Sequence, residues 1–374
     1  MPVDFTLKES GSLHSFYTNR DYSLFGVIGN PISHSKSPNL HNEWLRLSGL
    51  SNKAEYIKIN ITKSQDLKEI ILTMPKMGFV GCNITVPFKE DVFNIISELE
   101  EQGLAEFKTS EDTSQNNFLN AKAIGAVNCL FFNPETNKIE AYNTDVTGFI
   151  KALISLTSSK NKQNDDVDFY IKSNLRKKLS LGLNFKDFQI YKQKLDEPCL
   201  ISKEEFKMFI KENSGIHLQN LVIKHSINAL LIGAGGSARA VLCASGLFNS
   251  VTIANRSMQN ALNLCGEFAC LKSVKVKAIE LSAVNPQDYN LIINATPLGL
   301  KAGEYPSIKY EMIDPSTFCY DLIYPKDSPQ SLTPFLLKCK EAGAHESRLI
   351  NGYGMLIGQA AESYKIWTGH KIIY

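Results

Sequence analysis

The stretch NALLIGAGGSARAVLCASGLF, residues 228–248, restricts the possible folds of this chain more than any other. Its apolar run reads as a buried strand, the glycines as a tight turn, and the small apolar residues beyond as a helix. Gly233 and Gly235, with Ala238 at the third small position, match the spacing of a dinucleotide-binding turn. Gly233 permits the turn, Gly235 lets backbone amides approach a pyrophosphate, and the helix N-terminus supplies partial positive charge. The whole turn, Gly233, Ala234, Gly235, Gly236, Ser237 and Ala238, is therefore a candidate cofactor contact. Plain strand-to-helix packing is the alternative use of such a turn.

The strand that follows, VTIAN (251–255), selects the dinucleotide. An acidic residue at its end would bond the ribose 2′-hydroxyl of NAD, but this strand ends in Asn255, Arg256 and Ser257. A guanidinium cannot accept that hydrogen bond and suits a bidentate grip on a 2′-phosphate, which favours NADP. A solvated turn arginine is the bland reading of Arg256.

Apolar runs at VKVKAI (274–279), YNLIINA (289–295) and FCYDLIY (318–324) continue the same α/β rhythm. An earlier series precedes it. SLFGVIG (23–29), EYIKINI (55–61) and FVGCNIT (79–85) read as strands, with Ile57, Ile59 and Ile61 sharing one face. Helices fall between them: one with Ser37 as N-cap, Pro38 at the first helical position and Leu40, Trp44 and Leu47 at helical spacing, then SQDLKEIILTM (64–74) and VPFKEDVFNIISEL (86–99). The predicted fold is α/β with two domains, each built on a mainly parallel sheet covered on both faces. Polar stretches interrupt at roughly 100–122 and 156–222; within the second, SKEEFKMFIKEN (202–213) carries a capping box from Ser202 to Glu205 and reads as helix. Residues 1–22 read as a loosely attached polar tail.

The 374 residues carry 40 Lys plus Arg against 38 Asp plus Glu, so no global field would hold nucleic acid or an acidic membrane. Any anion must be caught locally. The eight cysteines are scattered without metal-ligand spacing, and neither a signal sequence nor a long apolar span appears, so a cytoplasmic protein with free thiols is expected.

A local anion trap is offered by GNPISHSKSP (29–38), where Ser35 and Ser37 stand two residues apart at a helix start; Ser37 as a mere cap is the equal alternative. Asn83, Thr85 and Lys89 in NITVPFK, Asn128 in GAVN, and Asn143 with Asp145 in NTD add amide, hydroxyl, ammonium and carboxylate groups near strand ends. A polyhydroxylated ring requires such a set. Taken singly, Asn128 and Asn143 could be turn residues, Lys89 a surface lysine and Asp145 an N-cap.

The ordered blocks GNPISHSKSP, NITVPFK, GAVN, NTD, GAGGSAR, NR, INATPLG, DLIYP and NGYGMLIGQAA together resemble the shikimate dehydrogenase family from end to end, outside the tail and the two polar stretches. The resemblance implies NADP-dependent interconversion of 3-dehydroshikimate and shikimate in a monomer or homodimer. It assigns 23–146 to a substrate-binding catalytic domain and 147–353, with the insertion at about 156–222, to a Rossmann-like NADP domain. A C-terminal segment, 354–374, would return to the first domain as a helix. By the same resemblance Ser35 and Ser37 bind the substrate carboxylate, with Tyr324 near it. Asn83, Thr85, Asn128, Asp145 and Gln359 bind ring hydroxyls. Lys89 and Asp145 are the catalytic pair, and Thr296 and Gly352 lie near the cofactor. NADP forms of the family often carry Thr after the Asn–Arg pair and a second Arg four residues beyond the first; Ser257 and Asn260 stand there, leaving Arg256 as the main phosphate ligand. Two competitors remain: an NAD-using quinate/shikimate dehydrogenase, disfavoured by the missing acid after the second strand, and a non-catalytic metabolite sensor, disfavoured by the intact Lys89 and Asp145.

Overall fold

A computed structural model describes residues 4–6, 22–109, 120–158, 227–269, 274–369 and 372, except 302, 326, 327 and 329. The helix expected at 202–213 lies outside the described residues. The described chain forms two compact units, one of residues 4–147 and 357–372, the other of residues 148–356.

The strands of the first unit are β1 (Asp4–Thr6), β2 (Ser23–Gly29), β3 (Ala54–Asn60), β4 (Phe79–Ile84), β5 (Ala105–Phe107), β6 (Cys129–Asn133) and β7 (Lys138–Tyr142), in spatial order β1-β3-β2-β4-β6-β7-β5. Helices α1 (Ser37–Leu47), α2 (Leu67–Thr73), α3 (Lys89–Glu101) and α4 (Ala121–Ile124) connect them, and α5 (Asp145–Ser158) follows. Alternation in β3 does what period two requires. Ile57 and Ile59, with Ile61 beyond, enter one core cluster with Leu67 and Ile71 of α2 and Val92 and Ile96 of α3. At about 1.5–3 kcal/mol per buried aliphatic side chain, this face dominates the unit's stability. Tyr56, on the opposite face of β3, stacks on His41 of α1 with ring centroids 4.2 Å apart.

Two expectations are corrected here. The N-terminal tail contributes a strand, for β1 pairs in parallel with β3. The polar stretch at 100–122 holds β5 and the start of α4, because Ala105 and Phe107 alternate into the core. The sheet is mainly parallel as expected, with an antiparallel hairpin, β6 with β7, whose β6 also runs antiparallel to β4.

The second unit carries β8 (Asn228–Ile232), β9 (Ser250–Asn255), β10 (Lys275–Glu280), β11 (Leu291–Asn294), β12 (Phe318–Asp321) and β13 (Leu349–Ile350), with α6 (Gly236–Cys243), α7 (Met258–Glu267) and α8 (Pro334–Glu341). Its sheet order, β10-β9-β8-β11-β12-β13, is 3-2-1-4-5-6 in the unit's own strand sequence, and every pairing is parallel. That order is the one of dinucleotide-binding sheets, with its reversal point beside β8. Leu230, Ile232, Ile292 and Cys319 of the strands share a core with Phe335, Leu336 and Cys339 of α8.

The last helix, α9 (Tyr353–Thr368), begins in the second unit and from Ile357 belongs to the first. Its Trp367 lies against Gly81 of β4, where a Cβ would fall 2.1 Å from the indole nitrogen. That nitrogen instead donates to the Leu130 carbonyl at 2.8 Å, so Gly81 is fixed by the close approach of a tryptophan.

Candidate active site

Lys89 is the first residue of α3 and begins the stripe that Val92 and Ile96 continue into the core. A lysine on that stripe must be buried, and it is 9% exposed. Its ammonium makes an ion pair with Asp145 Oδ2, itself 4% exposed. Asp145 Oδ1 accepts from Asn128 Nδ2 at 2.8 Å. The alternatives of a surface lysine and a capping aspartate both fail. Asp145 is instead the first residue of α5, and its amide donates to Asn143 Oδ1 at 3.1 Å. The Asp145 carboxylate is thereby left to face the ammonium. A buried pair satisfied in this way is costly to break, because removing one partner strands the other charge out of water.

Asn128 is held as firmly. Its Oδ1 accepts from the Thr144 amide at 2.7 Å, and a backbone N–H can only donate, so the amide nitrogen must face Asp145 and Thr144 Oγ1. Both N–H groups of Asn128 are committed within the protein. Asn83, at the end of β4 and 4% exposed, receives a hydrogen bond from Tyr56 at Oδ1 (2.8 Å) and donates to the Asn128 carbonyl and Ser363 Oγ. One lone pair on Asn83 Oδ1 remains for a ligand. Thr85, one residue past β4, is half-buried beside it in sequence.

The Ser37 cap is corrected. Helix α1 starts at Ser37 itself, and the Ser37 amide donates to Ser35 Oγ at 3.4 Å. Ser35 therefore supplies the acceptor, and the Ser37 hydroxyl is not spent on capping. Both serines are buried. Beside them, the buried Lys58 ammonium of β3 holds the Ser33 carbonyl at 2.5 Å. Sequence reasoning missed Lys58, Tyr56 and Ser363, since each acts through a partner far away in the chain.

In the second unit, Gly233 has φ +112°, a conformation that favours glycine, and a Cβ there would meet Ala295 and Thr296 at 3.1 Å. Gly235, the N-cap of α6, is different: a Cβ built on it meets nothing within 4 Å. Protein packing does not demand glycine at this position. The open space in front of a helix N-terminus fits a pyrophosphate cradle, which a side chain would fill. Ala234, Gly236 and Ser237 are half-buried around it, and Ala238 is fully buried against the sheet.

At the end of β9 Asn255 donates to the Ser257 carbonyl at 3.1 Å, and Ser257 Oγ caps α7 through the Asn260 amide at 3.4 Å. Arg256 between them is exposed. Thr296 follows β11, with its amide and hydroxyl both donating to Asn294 Oδ1, at 3.1 and 2.7 Å. Gly352 is buried where a Cβ would lie 2.0 Å from the Leu322 carbonyl oxygen. Tyr324 and Gln359 are half-buried, the first in the second unit and the second in the first.

Residues 27–105 match the family model described as the shikimate dehydrogenase substrate binding domain, and residues 352–372 match the shikimate 5'-dehydrogenase C-terminal domain. The chain is 31% identical to the shikimate dehydrogenase (NADP(+)) of Nitrosopumilus maritimus over 94% of each chain. It is 30% identical to that of Cereibacter sphaeroides, over 92% of this chain and 91% of the other. Among solved structures it is similar to the shikimate dehydrogenase of Aquifex aeolicus, with TM-score 0.61 and 26% identity over 94% of this chain and 95% of that one. A shikimate dehydrogenase in complex with NADP+ is similar at TM-score 0.60 and 25% identity, over 94% of this chain and 92% of that one. The end-to-end coverage of two-domain relatives, together with the buried Lys89–Asp145 pair and the glycine turn of the second sheet, places this chain in the shikimate dehydrogenase family.

Proposed function

We propose that the chain interconverts 3-dehydroshikimate and shikimate, with NADP as the hydride carrier and Lys89 and Asp145 as the catalytic pair. The buried ion pair on the substrate-binding unit carries this reading. Reduction of the ketone needs hydride on carbon and a proton on oxygen. The cofactor, when bound, supplies the hydride in that direction and takes it up in the other.

Lys89 supplies the proton. Its ammonium polarises the carbonyl and donates to the oxygen as the alkoxide forms, and in reverse the amine accepts the hydroxyl proton. Asp145 holds the ammonium in place and accepts a ring hydroxyl, and Asn128 fixes the carboxylate. Ser35 and Ser37 donate to the substrate carboxylate, with Tyr324 as a further contact. Thr85, Gln359 and the free lone pair of Asn83 read ring hydroxyls. The glycine turn, Asn255, Arg256, Ser257, Thr296 and Gly352 hold NADP on the second unit. The same reading makes the protein a cytoplasmic enzyme with a small-molecule substrate, acting as a monomer or homodimer.

The purified chain, given shikimate or quinate with NADP or NAD and followed by nicotinamide absorbance, should turn over shikimate with NADP most efficiently. Faster turnover of quinate with NAD would replace the reading with its nearest competitor. No turnover of either acid with either cofactor would overturn it.

A further inference from the structure

Ser363, one turn beyond Gln359 on α9, lies past the NGYGMLIGQAA block, yet it is fully buried and all its hydrogen-bonding capacity is used. A serine hydroxyl has one proton and two lone pairs. The proton goes to the Gln359 carbonyl at 3.0 Å. The lone pairs face Asn83 Nδ2 at 2.8 Å and Thr144 Oγ1 at 3.2 Å.

Both contacts lead to the site. Thr144 Oγ1 accepts from Asn128 Nδ2 at 3.0 Å, and Asn128 in turn holds Asp145, the partner of Lys89. The other contact fixes an amide. Asn83 Nδ2 must face the Asn128 backbone carbonyl, which can only accept, so Oδ1 must face Tyr56 and the Tyr56 hydroxyl must donate. With Ser363 taking the second N–H, the Asn83 amide has one orientation, and its remaining lone pair can only accept.

We infer that Ser363 is a positioning residue: it fixes the Asn83 amide so that Oδ1 presents a single acceptor to a hydroxyl group of the substrate. Gln359, Ser363 and Trp367 recur at four-residue spacing and so share one face of α9. Trp367 anchors that face to the Leu130 carbonyl, so the helix brings the serine to Asn83 at a sequence distance of 280 residues. The inference rests on the activity proposed above and adds to it a residue that acts through Asn83 without touching substrate.

The test is Ser363→Ala in the full chain, with Tyr56→Phe as a second variant that loosens the same amide from its other side. Each should raise the KM for shikimate about five- to twentyfold, keep the KM for NADP within about twofold, and keep kcat within about threefold, because one hydrogen bond to the amide is lost. The double variant should lose less than the product of the two, since both act on one side chain. An unchanged shikimate KM in a folded Ser363→Ala enzyme overturns the inference. So does an equal rise in both KM values, which marks general loosening of the fold. If Ser363→Ala does not fold, Tyr56→Phe decides by the same criteria. Should the wild type not turn over shikimate, the activity reading falls first. Crystal structures of the wild type and Ser363→Ala then decide this inference: an Asn83 amide equally ordered in both, with its contacts to the Asn128 carbonyl and the Tyr56 hydroxyl unchanged, would overturn it.

Discussion

Asp145 and Asp321 are both buried carboxylates, one in each unit, and they are satisfied in opposite ways. Asp145 meets an ammonium and an amide. Asp321, fully buried at the end of β12, meets neutral donors: Asn294 Nδ2 at 2.9 Å, the Ile323 amide at 3.1 Å and the Thr333 hydroxyl at 2.5 Å. Burial pushes Asp321 up to about 7, against the pull of those three donors. The first arrangement buries an ammonium against a carboxylate, and under the proposed function that ammonium is the proton donor. The second ties loops together, for Asn294 also carries the Thr296 turn, Ile323 precedes Tyr324, and Thr333 caps α8. A charged partner offsets the burial of Asp145, whereas neutral donors only partly offset that of Asp321.

The largest effect should come from breaking the charged pair. Lys89→Ala should lower kcat by about 10² to 10⁴, the span of general acid catalysis, while leaving NADP binding nearly intact. Asp145→Asn should weaken shikimate binding as well as turnover, because that carboxylate holds Lys89 and is proposed also to accept a ring hydroxyl. In the double variant the two losses should be strongly non-additive. Steady-state kinetics on folded variants decide it. A Lys89→Ala enzyme with near wild-type kcat would remove the lysine from the chemistry.

A smaller effect sharpens the contrast through pH. In the first unit His41, with neither ring nitrogen hydrogen-bonded, is lowered by burial to about 3. Its depressed value means that its contribution is intact above the unfolded value of 6.5 and lost as pH falls towards 3. Asp321 is raised, so its contribution is present below the unfolded value of 3.8 and lost as pH rises through about 7. Acidification from about pH 7 to about pH 5 should therefore destabilise the first unit and stabilise the second, each by about 2 kcal/mol from these groups. Both tryptophans, Trp44 and Trp367, belong to the first unit, so indole fluorescence reports it alone. The urea midpoint seen by fluorescence should fall with acid in the wild type and fall less in His41→Phe. Asp321→Asn should leave that fluorescence response as it was. Equal acid responses in wild type and His41→Phe would count against the assignment.

How much of this was legible in the sequence follows the range of each interaction. The β3 alternation and the strand–turn–helix around the glycines depend on neighbours in the chain, and they read correctly. The Ser37 cap was read one residue late, because the hydroxyl that accepts the helix amide comes from Ser35. Strand β1 was missed since a short strand in a polar tail has no period to detect, and its partner β3 lies some fifty residues on. The β6–β7 hairpin was missed because CLFFNPETNKIEAY shows no clean alternation. Tyr56 and Ser363 carried no local signal at all: their chemistry is that of Asn83, and only the fold brings the three together.

The smallest expected effect lies at Arg256, which differs from Lys89 in being exposed. A solvated guanidinium gains less from an anion than a desolvated ammonium does, since water screens the pair. Its neighbours are neutral: Ser257 Oγ accepts the α7 amide of Asn260 and Asn255 spends one N–H on the Ser257 carbonyl, so Arg256 is the charged group of the three. The 2′-phosphate is also the only group by which NADP differs from NAD, so whatever Arg256 contributes appears as cofactor preference. Arg256→Ala should raise the KM for NADP about tenfold, or roughly 1.4 kcal/mol, with the shikimate KM and the NAD kinetics nearly unchanged. Raising the salt concentration should narrow the gap between wild type and variant, as it must for an exposed ion pair. Wild-type kcat/KM values equal for NAD and NADP would remove Arg256 from cofactor selection and reduce it to the solvated turn residue that its position alone allows.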